Sequence, residues 1–229
     1  MNESSFYKKK AALEAVEFIE SGMILGLGSG STAWYALEEI GKRIKIGLLE
    51  SIVGIPSSSR TAELARQFGI PMGTLDDFPV IDLTIDGADE VDPELNLIKG
   101  GGGALLHEKI LAQNSRRVMI IVDQSKLAPA LGTNCKLPLE VVPFSLRPML
   151  SYLESLGAQT LVRTEKAGQR FVTDEGNFLL DCKFDPISNP RELAQNLKKR
   201  AGLVEHGLFL GLATDVIVAG EHETQHIKS

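Results

Sequence analysis

Alternating strand and helix signals predict an α/β fold: a largely parallel sheet domain with a second, smaller α+β domain. Three observations carry this reading. The apolar runs MILGL, SIVGI, VIDLTI and VMIIV alternate with stretches of helical periodicity, the pattern of βαβ units with right-handed crossovers. Beyond about residue 131 the order becomes strand, helix, two strands and helix, which suggests a split βαβ (ferredoxin-like) arrangement. A late run, VIVA, reads as a parallel core strand that returns the chain to the first sheet. The expected division is 1–131 with 204–229 for the sheet domain and 132–203 for the smaller one.

Each element has a local reason. Residues 6–20 place Ala12, Val16 and Ile19 on one helical face with Leu13 beside them. Ser21-Gly22 stops that helix, and 23–27 follows as a short apolar strand. GSGST leads into a helix at about 33–42, 51–55 reads as a strand, and a third helix over 61–68 follows Ser57–Ser59. Residues 80–85 are a strand, 96–98 a short one, 104–114 a helix, and 118–122 the clearest buried strand. In the second domain a strand is expected at 137–142 and a helix at 147–156 after Pro143. A hairpin over 169–184 should turn at Asp174-Glu175-Gly176-Asn177. The next helix, 191–200, begins at Pro190 with Asn189 as its N-cap.

In open parallel sheets ligands sit at the carboxyl ends of the strands. That rule sends GSGST, SSS, DGAD and DQSK, far apart in sequence, to one rim.

The 229 residues are 43% apolar and 24% charged, as in ordinary globular proteins, and suffice for a large domain with a smaller companion. With 24 Lys+Arg against 30 Asp+Glu, the net charge of −6 argues against generic nucleic-acid binding. An anionic substrate would need a local positive site instead. Cys135 and Cys182 show neither metal-ligand spacing nor a disulfide framework and read as free thiols. No apolar run matches a signal peptide or the roughly 20 residues of a membrane span. A cytoplasmic protein of a reducing compartment, with no membrane or nucleic-acid partner, is expected.

Chemistry concentrates between Asp86 and Lys109, in DGADEVD and KGGGGALLHEK. Asp86 and Asp89 follow an apolar strand and suit hydrogen bonding to sugar hydroxyls with proton relay. The same run would also serve as a Mg²⁺ site or as a solvated acidic loop. The four glycines after Lys99 imply that something approaches the backbone closely, and Lys99 is a compact cation for an oxyanion or a phosphate. Glu108 sits at the start of the following helix, where Leu105, Leu106, Ile110 and Leu111 supply the buried positions. His107 points about 100° away from it, and Glu90, Asp92, His107 and Lys109 read as scaffold or solvent-facing. GLGSGST can cradle a phosphate on backbone amides and hydroxyls, or form only a tight strand–helix turn. It departs from the dinucleotide fingerprint at Ser31, and it has no G-K-[ST] of a P-loop. Lys126 belongs to the same rim, and Lys8 lies on the first helix. His206, His222 and His226 have no partner pattern, and Trp34 reads as core.

Taken together, GLGSGST, DGADEVD, KGGGGALLHEKI and VDQSK, in this order and spacing, resemble ribose-5-phosphate isomerase of the A type over nearly the whole chain. The resemblance implies a Rossmann-like domain with a smaller α+β domain. It further implies interconversion of D-ribose 5-phosphate and D-ribulose 5-phosphate in the non-oxidative pentose phosphate pathway, with no metal or organic cofactor, in a homodimer or tetramer. It makes Glu108 the general base and Asp86, Asp89 and Lys99 the other catalytic groups. Ser29, Gly30, Ser31, Thr32, Gly87, Ala88, Gly100, Gly101, Gly102 and Lys126 complete the substrate cradle, and Lys8 reaches the phosphate. Ser29 stands where many members carry threonine. The rival reading is a non-catalytic sugar-phosphate-sensing module of similar fold, which would be expected to carry an attached DNA-binding segment.

Overall fold

The computed structural model describes residues 3–221 and 223–229; His222 lies outside them. In chain order the elements begin with α1 (Glu3–Val16), β1 (Ile24–Leu27), α2 (Gly30–Lys45), β2 (Val53–Pro56), α3 (Ser59–Gln67) and β3 (Leu83–Asp86). Two short strands, β4 (Glu90–Val91) and β5 (Leu97–Ile98), precede α4 (Leu105–Gln113), β6 (Val118–Asp123) and a 3₁₀ turn at Gln124–Lys126. Then come β7 (Leu137–Val141), a 3₁₀ turn at Pro143–Ser145, α5 (Leu146–Ser155), β8 (Gln159–Val162), β9 (Phe178–Lys183) and α6 (Pro190–Lys198). The chain ends with β10 (Leu203–His206), β11 (Leu208–Phe209), β12 (Asp215–Ala219) and β13 (Thr224–Lys228).

Two compact units result. The first comprises the stretch ending at Ala88, His107–Lys126 and Gly211–Ser229; the second comprises Asp89–Leu106 and Leu127–Leu210. This grouping differs from the division at 131/132 and 203/204 in that residues 89–106, 127–131 and 204–210 all fall in the second unit. Residues 89–106 join the second unit because β4, β5 and β11 form their own three-stranded antiparallel sheet, with Val91 bridging Leu127. Strands of two residues carry too little pattern for a sequence reading to assign them a sheet.

The first unit is a six-stranded sheet in the order β13-β12-β6-β3-β1-β2, parallel except for the antiparallel edge strand β13. The order reverses between β1 and β3, so the switch-point crevice lies at their carboxyl ends. On one face Leu25, Leu27, Leu83, Ile85, Met119, Ile121, Ile217 and Ala219 meet α1 and α2 through Ala11, Ala15, Val16, Ala36, Leu37 and Ile40. Ala12 and Val16 are buried as expected, but α1 stops at Val16. Ile19 is buried through i→i+3 turns that tighten the chain after the helix. Trp34 is half-buried, edge-on to Tyr35 and Phe68. At the amino end of β12, Asp215 accepts two hydrogen bonds from Arg117 (both 2.7 Å), one from Thr214 Oγ1 (2.7 Å) and a 2.7 Å contact from His226 Nε2. Arg117 in turn lies 4.7 Å over the Phe18 ring.

The second unit holds the antiparallel sheet β10-β7-β9-β8. Leu137, Leu139, Val141, Leu180 and Cys182 face Met149 and Leu153 of α5 and Leu197 of α6. Asn189 caps α6 as the sequence predicts, its Oδ1 accepting from Glu192 N. The hairpin over 169–184 needs correction. The turn between Thr173 and Asn177 is present, but the ladder partners of β9 are β7 and β8, and residues 169–173 make only isolated bridges. The buried Glu140 carboxylate accepts from Thr173 Oγ1 and Asn177 Nδ2 (both 2.9 Å), which adds side-chain bonds to the backbone bond from Thr173 N to Asn177 O (2.9 Å). Cys182 is fully buried and free, its thiol pushed up to about 12 by desolvation.

Gly41 of α2 offers a test in which two effects oppose. An alanine there gains about 0.5–1 kcal/mol of helix propensity. Its Cβ would stand 2.4 Å from the Phe68 carbonyl oxygen, and overpacking costs about 1–3 kcal/mol. Gly41→Ala should therefore lower the urea unfolding midpoint; a raised midpoint would show that the α2–α3 contact is loose. A second test concerns acid. The Arg117 guanidinium beside Asp215, with help from Thr214 and His226, holds its carboxyl well below the usual carboxylate range. Its contribution is thus complete above the unfolded pKa of about 4 and is lost as pH falls below it. Unfolding curves of wild type and Asp215→Asn should differ most near pH 7 and converge towards pH 2. A gap independent of pH would refute that linkage.

Candidate active site

In the first unit the site is built at the switch point, on a close approach of two strands. A Cβ on Gly26 would lie 1.8 Å from Thr84 Oγ1, and one on Gly28 would lie 2.6 Å from Asp86 Cα. Only glycine permits this spacing, and Gly28 N extends the ladder to Ile85 O at 3.0 Å. The loop after β1 therefore lies along the end of β3. Ser29 N and Gly87 N both donate to Asp86 Oδ1, at 3.0 and 2.8 Å, which fixes a carboxylate only 2% exposed.

Ser29 precedes α2 in extended conformation, where a serine usually caps its own helix. Here its hydroxyl donates instead to Glu108 Oε1 at 2.5 Å, so the first-turn amides of α2 receive no side-chain cap. Uncapped first-turn amides are the feature that attracts anions. Glu108, in the first turn of α4, is 4% exposed. One short segment thus holds two buried carboxylates, Asp86 through its amide and Glu108 through its hydroxyl. Lys8 reaches across from α1 to donate to Ser31 Oγ at 3.3 Å. Thr32 borders Gly87. Lys126, half-buried, closes the 3₁₀ turn after β6, which Asp123 shapes by accepting from Ser125 N. The serines after β2 serve as scaffold: Ser58 caps α3 through Thr61 N, and Thr61 Oγ1 binds Gly28 O.

In the second unit Asp89 N donates to Ile98 O at 2.8 Å, and Asp89 Oδ2 accepts from Gly101 N at 2.7 Å. Lys99 is 3% exposed, its amide bound to Gly207 O and its ammonium 5.5 Å from the Phe209 ring centre. The glycine run turns with Gly100 at φ +106° and Gly103 at φ +90°, closed by Gly103 N donating to Gly100 O. The group that crowds these glycines is protein. A Cβ on Gly101 would meet Asp89 Oδ1 at 2.5 Å, and one on Gly103 would meet the Phe171 ring at 2.4 Å. Gly101 and Gly102 are exposed.

The chain passes from the first unit to the second between Ala88 and Asp89 and returns between Leu106 and His107. Both crossings fall inside the two motifs, so Asp86 and Glu108 belong to one unit and Asp89 and Lys99 to the other. Glu90 and Asp92 are structural, as the sequence indicated. Glu90 is buried and accepts from Asn134 N (2.6 Å) and Gly132 N, while Asp92 accepts from Glu94 N and Asn96 N. Lys109 is buried rather than solvated. His226 belongs to the Asp215 cluster, and His206 lies 3.7 Å from Glu205. Among the described residues no three His, Cys, Asp or Glu side chains gather as metal ligands.

One residue escaped the sequence reading. Arg163, just after β8, donates from Nη1 to Gly100 O (2.8 Å) and Gly101 O (3.2 Å) while its Nε and Nη2 engage Asp181. Its target lies 63 residues upstream, and no local pattern announces it.

Residues 53–223 match the family model described as ribose 5-phosphate isomerase A (phosphoriboisomerase A). The chain is 56% identical to ribose-5-phosphate isomerase A of Chloroflexus aurantiacus, over 99% of this chain and 96% of that protein. It is 52% identical to the protein of the same name from Desulfatibacillum aliphaticivorans, over the full length of both. A solved D-ribose-5-phosphate isomerase, in complex with phospho-erythronic acid, superimposes with a TM-score of 0.97 at 37% identity, covering 100% of both chains. By sequence and by fold, the chain belongs to the ribose 5-phosphate isomerase A family.

Proposed function

We propose that the chain is an aldose–ketose isomerase that interconverts D-ribose 5-phosphate and D-ribulose 5-phosphate through an enediolate, within the non-oxidative pentose phosphate pathway. The single observation that carries the mechanism is the buried Glu108 carboxylate held by Ser29 Oγ beside the Asp86 loop. Isomerisation needs a base that takes a proton from C2 and returns it to C1, and one carboxylate can do both. Glu108 takes that role. Lys99 counters charge on the enediolate oxygen, and Asp86 and Asp89 relay hydroxyl protons and assist ring opening.

The phosphate is assigned to the first turn of α2, where Ser31 and Thr32 add hydroxyls and Lys8 and Lys126 add charge. The 3.3 Å Lys8–Ser31 contact and the uncapped helix start support this placement. Anchoring the phosphate lets remote binding energy orient the reacting carbons. Gly87, Ala88 and Gly100–Gly102 line the sugar, with Ser29 and Gly30 at the turn. The solved relative bound to phospho-erythronic acid, a phosphorylated polyhydroxy acid, supports a site of this chemistry. The relatives described above are each named as isomerases, not sensors. The route runs on carboxylates and a lysine and employs neither metal nor organic cofactor. We place the enzyme in the cytoplasm, a reading its two free thiols support, and assemble it as a homodimer.

Glu108→Gln should cut kcat by at least about 10³-fold, within the range of general-base losses, while ribose 5-phosphate binding stays near wild type. Turnover within tenfold of wild type would remove Glu108 from the role of base. In D₂O, NMR of the wild-type reaction should show ribulose 5-phosphate forming with deuterium entering at carbon. Isomerisation without any deuterium in product or substrate would speak against exchange at a carboxylate base. Sedimentation velocity should give a species of twice the chain mass; a monomer would overturn the homodimer.

A further inference from the structure

The glycine run after Lys99 poses a physical problem. Glycine populates positive and negative φ about equally, so consecutive glycines leave each peptide plane nearly free to turn over. A loop meant to aim amides at one target needs an external hold. Arg163 supplies it, entirely within the second unit.

Its backbone is itself fixed, since Arg163 N donates to Leu179 O (2.8 Å) and Arg163 O accepts from Phe171 N (3.0 Å). The guanidinium is a rigid planar fork. Nε donates to Asp181 Oδ2 at 3.0 Å and Nη2 to Asp181 Oδ1, a bidentate pair that sets the plane of the fork. The remaining nitrogen, Nη1, then points at the carbonyls of Gly100 and Gly101. Phe171 packs 5.9 Å from the guanidinium carbon and also fills the space that a side chain at Gly103 would need.

A trans peptide directs its C=O and N–H to opposite sides. Fixing Gly100 O on Arg163 therefore sends Gly101 N–H the other way, where it holds Asp89 Oδ2 at 2.7 Å. Fixing Gly101 O sends Gly102 N–H to the side away from Arg163, and Gly102 itself is exposed. We propose that Arg163, oriented by Asp181, is a positioning residue for the isomerisation. It sets the two glycine peptides so that one amide fixes the Asp89 carboxylate and the next is offered to a substrate oxygen. The inference rests on the isomerase reading above. It adds to that reading a relay from β9 to Asp89 that touches no substrate.

The test uses the full chain and ribose 5-phosphate. Arg163→Ala should lower kcat by about 10²-fold, the scale of a small misplacement of reacting groups, with KM changed far less. Guanidinium ion added below denaturing concentration should restore part of that kcat, and the same ionic strength of sodium chloride should not. The loss should also be much smaller in an Asp89→Asn background, because both changes break one relay. Should Arg163→Ala fail to fold, Arg163→Lys carries the test: it keeps a charge but cannot span Asp181 and two carbonyls, and kcat should still fall.

Three outcomes would overturn the proposal: kcat near wild type in the folded variant, a loss fully additive with Asp89→Asn, or equal restoration by sodium chloride. Failure of the isomerase reading looks different. In that case wild type itself makes no ribulose 5-phosphate, whereas a failed relay leaves wild-type turnover intact and still abolished by Glu108→Gln.

Discussion

The close approach of β1 to β3 is the constraint on which the Asp86–Ser29–Glu108 cluster of the first unit depends. Two glycines in GLG remove the Cβ atoms that would hold these strands apart by side-chain contact with Thr84 and Asp86. The loop that follows is then near enough for one residue, Ser29, to bind both Asp86 and Glu108. The strand order reverses at this same pair, so the crevice, the polar loops and the dipole of α2 coincide.

The second unit meets a different demand. Its loop of four glycines, lacking side chains, is poorly determined by its own sequence. Order is imported from elsewhere in the unit. Asp89 takes one amide, a short turn closes Gly100 to Gly103, and Arg163 holds two carbonyls from the far side. Freedom of the glycine backbone is thus matched by the rigidity of the groups that clamp it.

Buried charge throughout the molecule follows one rule: each carboxylate is met by amides, hydroxyls or a guanidinium. Glu90, Glu140 and Asp215 bind Gly132 and Asn134, Thr173 and Asn177, and Arg117 respectively. These acids are structural because their oxygens are committed to the scaffold. Exposure does not separate them from Asp86 and Glu108, which are just as buried. Asp86, at the carboxyl end of β3, and Glu108, in the first turn of α4, differ in being held by one residue, Ser29.

The sequence alone determined the alternation of strands and helices, the buried strand over 118–122 and the return of the last core strand. These signals are local: hydrophobic period, glycine content and charge spacing survive in a linear reading. Tertiary structure alone decided the partners. It paired β9 with β7 and β8 rather than with 169–173, moved residues 89–106 into the second unit, diverted Ser29 from helix capping to Glu108, and brought Arg163 onto the glycine carbonyls. Each of these joins atoms far apart in the chain, so its energy is gained only after both segments are in place, and neither segment by itself records it.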